Sequence, residues 1–285
     1  MENNNNNALL IAGSIVAAGA LIAVGIYLAP ANTTQNENSN DQQAQDQDLI
    51  QRTSIDNRPI TEEDFIRGSS TAAVTVIDYS DLECPFCKQF HQIMNDMTDK
   101  YSGQELAWVY RHFPLESIHS KAPKEAHATE CAAELGGEDA FWQYTDRLFA
   151  VTPSNNELDL DRLPEIAAEI GLDRQAFVSC QESGRNQSKV QEDFEDARST
   201  GGSGTPFVII KLNEKPDTET VQLMEKIARS ANKQSRRVRV KIDENNTKLS
   251  SNGALPARAL DRLIQTVTNK TNSTTTAAAN IESES

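Results

Sequence analysis

The stretch Asp78-Tyr79-Ser80-Asp81-Leu82-Glu83-Cys84-Pro85-Phe86-Cys87-Lys88-Gln89-Phe90-His91 decides the fold. The run entering it, Ala73 to Tyr79, is nearly continuous in β-branched and apolar side chains, which predicts a strand buried on both faces. Leaving it, Phe86, Phe90, Ile93, Met94, Met97 and Tyr101 recur at helical spacing and predict one apolar helix face. Pro85, with its fixed φ and no N–H, suits the first helical turn, so Cys84 is expected at the helix N-terminus. Free backbone N–H groups and the positive end of the helix dipole stabilise a thiolate there. Cys84 is therefore expected to be the nucleophile, and Cys87, one turn inside, the resolving thiol.

Zinc hairpins use the same CxxC spacing, so context has to separate the two readings. A structural zinc site takes four ligands, usually a second CxxC or a closely spaced His pair. Cys131 and Cys180 stand alone in the sequence, and His91, His112, His119 and His127 contain no i, i+4 pair. A strand before the motif and a helix after it are what a thioredoxin-like redox motif requires. Beyond that helix, Gly103 supplies a stop, and Leu106 to Phe113 reads as a second strand ended by Pro114. Strand, helix, strand predicts a parallel, right-handed βαβ unit with its chemistry at a strand's carboxyl end.

Farther along, helical patterns run from Lys121 to Leu135, Glu138 to Ala150, Asp161 to Ile170, Asp173 to about Glu182 and Arg185 to about Ser199. They form a helical insertion over about 115–200 that contains both Cys131 and Cys180. A glycine-rich turn, Gly201-Gly202-Ser203-Gly204, then leads into the strand Pro206 to Ile210. A helix over Glu219 to Lys233, strands over Arg236 to Ile242 and Lys248 to Ser250, and a last helix over Ala257 to Val267 complete the domain, set at 57–268.

The ends have a different composition. After a short tail, 1–7, residues 8–30 hold an uncharged apolar run long enough to cross a bilayer as a helix, expected to be a transmembrane signal-anchor. Its length and the lack of Lys or Arg in MENNNNN favour an anchor over a cleaved signal peptide, although Ala29-Pro30-Ala31 would suit a peptidase. Residues 31–56 and 269–285 are polar and low in complexity, and are expected to be a disordered linker and a disordered tail. A net charge of −15 argues against nucleic acid or an anionic membrane surface as partner. Four cysteines, one pair in the CxxC and two others distant from it, fit two disulfides in an oxidising compartment, placing the domain on the extracytoplasmic face.

Taken together, YSDLECPFCKQFH, VYRHFPL, ATECAAELGG, CQESG and GSGTPFVII resemble the DsbA family of thioredoxin-fold oxidases of secreted-protein thiols, from about Ser70 to Val267. The resemblance implies an α/β fold: a thioredoxin domain with an inserted helical subdomain, here preceded by one transmembrane helix. It implies that Cys84 attacks, that Cys87 resolves, and that a cis-proline loop at Thr205-Pro206 contacts substrate backbone beside Pro85 and Phe86. Asp78 matches the family's buried acid and would shuttle the Cys87 proton, the bland alternative being an Asp that closes the strand with its side chain in water. Cys131 and Cys180 would form a structural disulfide like one in some relatives, the alternative being two separate buried thiols.

The implied activity is disulfide formation in exported proteins through the Cys84/Cys87 couple. No other cofactor would be needed, and a membrane reoxidase resembling DsbB or the vitamin K epoxide reductase family would restore the disulfide. A reductase or isomerase, a non-catalytic peptide-binding holdase or adaptor, and a metal-binding protein are the alternatives. One departure stands out: Phe86 occupies the position where well-studied members carry His, leaving the helix terminus and Lys88 to stabilise Cys84 against Asp81 and Glu83.

Overall fold

The structure, a computed structural model, describes residues 50–234 and 238–269. The expected strand is β3, Val74–Ser80, buried along its whole length, with β1 (Gln51–Arg52) and β2 (Phe65–Arg67) before it. Helix α1, Pro85–Lys100, follows, then β4, Leu106–His112. The insertion contains α2 (Ala122–Val151), α3 (Arg162–Glu169), α4 (Arg174–Ser183) and α5 (Gln187–Ser199). After it come β5 (Phe207–Leu212), α6 (Thr218–Gln234), β6 (Arg239–Ile242), β7 (Lys248–Asn252) and α7 over 257–269. Helix α2 is broken at Gly137, whose φ of 76° is not helical, which accounts for the two helical patterns on either side of it.

One seven-stranded sheet has the order β1-β6-β7-β5-β3-β4-β2. β3 pairs in parallel with β4 and antiparallel with β5, so the expected βαβ unit lies at the centre. Alternation along β3 divides its side chains between two cores. Val74 and Val76, with Trp108, Tyr110, Val208 and Ile210 from its neighbours, join Cys87, Phe90 and Met94 of α1 in the larger core. Ile77 and Tyr79, with Val109, Phe207 and Ile209, meet Ile55, Phe113 and Ala197 in the smaller one. Asp78 follows Val76 on the larger-core face, opposite Tyr110 and Val208 in the register.

Residues 53–64 link β1 at one edge of the sheet to β2 at the other. Lys248 Nζ donates to the Ile55 carbonyl at 2.7 Å, and Arg58 bonds Asp64 and Asp193 at 3.0 and 2.5 Å. Arg111, wholly buried, donates to Asp64 at 2.7 Å and Asp196 at 2.8 Å. The linker expected over 31–56 therefore ends earlier than its polar composition suggested. Gln51–Arg52 pair with Lys241–Ile242, and Ile55 is buried. The apolar run 8–30, most of that linker and residues 270–285 lie outside the described residues. Among the described residues no helix is long and apolar enough to cross a membrane.

Candidate active site

The site forms where β3 ends, α1 begins and the loop before β5 crosses them. Cys84 is the N-cap of α1 in extended conformation (φ −82°, ψ 121°), with Pro85 in the first turn. Its carbonyl accepts the Lys88 N–H at 3.1 Å, and its own N–H donates to the Asp81 carbonyl at 3.0 Å. Cys87, a turn later, has no exposed surface. Both are free thiols, so the structure represents the reduced form.

The Thr205–Pro206 bond is cis. Cys84 Sγ lies 3.5 Å from the Thr205 carbonyl. The Pro206 carbonyl accepts the Gly253 N–H at 2.8 Å, and Asn252 accepts the Ser203 N–H at 2.7 Å, tying the loop to β7. Gly202 permits the approach: a Cβ there would meet the Ala197 carbonyl at 2.7 Å. A groove of about 1120 Å³ lies alongside, reaching from Leu115 and Ile118 to Phe194 and Ser203.

The two sulfurs differ sharply. A hydrogen bond from Cys87 is the largest influence on Cys84; burial opposes it, and donors on Thr205, Cys87 and Phe86 help lower Cys84 from 9.0 to about 6. Burial is the main cause raising Cys87 well above 9.0, followed by its bond to Cys84 and the charges of Cys84, Asp78 and Asp81. The Asp81 N–H donates to Cys87 Sγ at 3.4 Å. Asp78 is wholly buried. Burial raises it well above 3.8, against a lesser hydrogen bond from Ser80, so it is a neutral acid on the Cys87 side of the site.

Of the residues expected in the site, Cys84, Cys87, Asp78, Pro85, Thr205 and Pro206 come together. Phe86 is present too, but it leaves the apolar face assigned to it by spacing and stands 51% exposed beside Cys84. Lys88 does not support the thiolate: its Nζ donates to the Thr152 carbonyl at 2.7 Å. Cys131 and Cys180 form a disulfide between α2 and α4. That disulfide makes His127, 3.8 Å from Cys131 Sγ, a neighbour of a closed bridge.

Sequence reasoning missed a second layer of acids. Glu83, fully buried, accepts the Asn156 N–H with one oxygen. Its other oxygen, and both oxygens of the buried Glu125, lack a partner among the described residues if each is counted only as an acceptor. Burial, then the hydrogen bond and charge of Glu83, push Glu125 up to about 10. Asp81 accepts the Glu83 N–H at 2.8 Å and the Leu115 N–H at 2.7 Å, and bonds His119 Nδ1 at 2.9 Å. Asp81 and Glu83 are visible in the motif as charges, whereas nothing local marks His119 or Glu125 as their partners.

A family model described as thioredoxin matches residues 60–228. This chain belongs to the thioredoxin family. Its fold is that of DsbA-type proteins. α-DsbA1 of Wolbachia pipientis superposes with a TM-score of 0.52 at 23% identity, over 74% of this chain and 96% of that one. BcfH of Salmonella enterica Typhimurium gives 0.54 at 14% identity, over 90% and 97%. Among curated proteins, the thioredoxin-family chain is 33% identical over 147 residues to Na(+)/H(+) antiporter NhaA 3 of Salinispora tropica, 52% of this chain and 21% of the antiporter. NhaA 1 of Mycolicibacterium gilvum is 33% identical over 156 residues, 54% and 24%. The chain thus spans about a fifth to a quarter of the length of these relatives.

Proposed function

We propose that this chain is a thiol:disulfide oxidoreductase that forms disulfides in exported proteins. The observation carrying this reading is the placement of the CxxC, with Cys84 at the helix N-terminus 3.5 Å from the Thr205 carbonyl of the cis Thr205–Pro206 loop and Cys87 wholly buried a turn later, an asymmetry that lowers Cys84 to about 6 and raises Cys87. A substrate thiolate attacks Cys84 Sγ of the oxidised pair; the Cys84–Cys87 bond breaks and Cys87 leaves as a thiolate. Asp78 gives Cys87 its proton, and water reprotonates Asp78. The substrate's second thiolate then attacks the substrate sulfur of the mixed disulfide, closing the substrate disulfide and expelling Cys84 as the favoured thiolate. Two electrons pass from substrate to enzyme. Thr205 and Pro206 take the substrate backbone, and Pro85 and the exposed Phe86 ring its side chains.

A thiolate with a pKa of 6 instead of 9.0 stabilises the reduced form at pH 7 by about 1.4 kcal/mol, or about 30 mV for a two-electron couple. That bias favours accepting electrons. A membrane reoxidase of the DsbB or vitamin K epoxide reductase kind would return the pair to the disulfide, with 8–30 anchoring the domain at the outer face and no other cofactor taking part. Equilibration with glutathione tests the direction. A potential clearly above the roughly −270 mV of thioredoxin is expected, a value at or below it assigns a reductase, and Cys84→Ser should abolish exchange.

A further inference from the structure

A dithiol centre that keeps one sulfur anionic is helped by positive charge near it, and here neither the Phe86 ring nor the diverted Lys88 ammonium supplies any. The loop between β4 and α2 brings in another group. His119 has a side chain 7% exposed, and its Nδ1 is 2.9 Å from Asp81 Oδ2. The loop is fastened to the motif at two further places. Leu115 donates its N–H to the same Asp81 oxygen at 2.7 Å. Asn156 donates its side-chain amide to the Ile118 carbonyl at 2.8 Å and its N–H to Glu83. Asp81 in turn reaches Cys87 Sγ through its own N–H, so two hydrogen bonds through one residue connect the imidazole to the dithiol.

We propose that His119, carried on Asp81, is a positioning and charge-supplying residue of the dithiol centre: as an imidazolium it fixes Asp81 under Cys87 and offsets the negative charge of the Cys84 thiolate. The inference rests on the oxidoreductase reading above. The charged groups facing the ring come from the motif: Asp81, Cys84 and Glu83. Glu125 neighbours Glu83 and is raised by burial and by Glu83, and the Lys121 ammonium, which donates to the Leu158 carbonyl at 2.5 Å, acts on it in the opposite sense. The hydrogen bond to Asp81 is the main cause raising His119, burial opposes it, and the charges of Asp81, Cys84 and Glu83 add to the rise. Among the described residues Nε2 has no partner, which leaves it able to carry the second proton.

Because coupling between two charges is reciprocal, each should titrate differently when the other is removed. In reduced His119→Gln, where the side-chain amide can still donate to Asp81, thiolate absorbance should show Cys84 raised by roughly half a unit, about threefold less readily ionised. The glutathione equilibrium at pH 7 should shift about two- to threefold toward oxidised enzyme. A folded His119→Gln whose Cys84 titrates as in the wild type overturns the proposal. Should that variant not fold, the wild type still decides: the His119 ring resonance should titrate higher in the reduced than in the oxidised protein, and equal values in both forms overturn the proposal. Loss of the oxidoreductase reading would look different, since wild-type protein would not exchange with glutathione while both titrations remained measurable.

Discussion

At the scale of single residues the site is a set of unequal pairs. Cys84 and Cys87 share a ring of backbone but not an environment, and Asp78 is held neutral beside them. Asp78→Asn separates the acid's two effects. An unfolded Asp ionises near 3.8 while the buried one keeps its proton, so the wild type loses stability as pH rises above that value toward the raised native one. Asn, uncharged throughout, escapes this loss. Asp78→Asn should therefore melt at a higher temperature than wild type at pH 7 yet slow the release of Cys87, measured as the rate of mixed-disulfide formation by the oxidised protein. A variant as fast as wild type would remove Asp78 from the proton path. Cys84 and Cys87 were legible in the sequence because their chemistry is local, two thiols one turn apart, whereas the cis bond before Pro206 was legible only through the family resemblance of GSGTPFVII. His119 was not, because its partner lies 38 residues away and neither stretch carries a mark of the other.

Among elements, the helical insertion holds itself together. Phe177 of α4 stacks on Tyr144 of α2 with centroids 5.3 Å apart, and the Cys131–Cys180 bridge joins the same two helices. The bridge spans 49 residues, worth about 4 kcal/mol on a chain-entropy argument. Cys131→Ala with Cys180→Ala should lower the unfolding free energy by an amount of that order in a denaturant titration. The ionisation of Cys84 should stay as it was. Helix α1 was readable from its spacing, and its buried positions are Cys87, Phe90, His91, Met94 and Met97. Phe86 misled because a ring at helical spacing is ordinarily core, whereas this one stands exposed in the first turn of α1. Strands β1 and β2 escaped notice because two or three residues cannot display an alternating pattern.

For the molecule as a whole, the segment 53–64 depends on one buried cation. Arg111 serves Asp64, Asp196, the Tyr79 hydroxyl and two backbone carbonyls of that segment, at Arg58 and Pro59. Removing it would strand two buried acids, so Arg111→Met should cost about 3–5 kcal/mol. Limited proteolysis should then cut between residues 53 and 64 before anywhere else in the described fold. Cleavage elsewhere first would show that the segment is held by its apolar contacts at Ile55 and Ile60.

Residues 51–67 contribute both outermost strands of the sheet, β1 against β6 and β2 against β4. The stretch that leaves the ribosome before the rest of the sheet thus has no seat for Gln51–Arg52 until Lys241 and Ile242 have been made. A nascent chain halted short of that point would keep one margin bare, open to strand-by-strand pairing with a neighbour. Completion of translation is what shuts it.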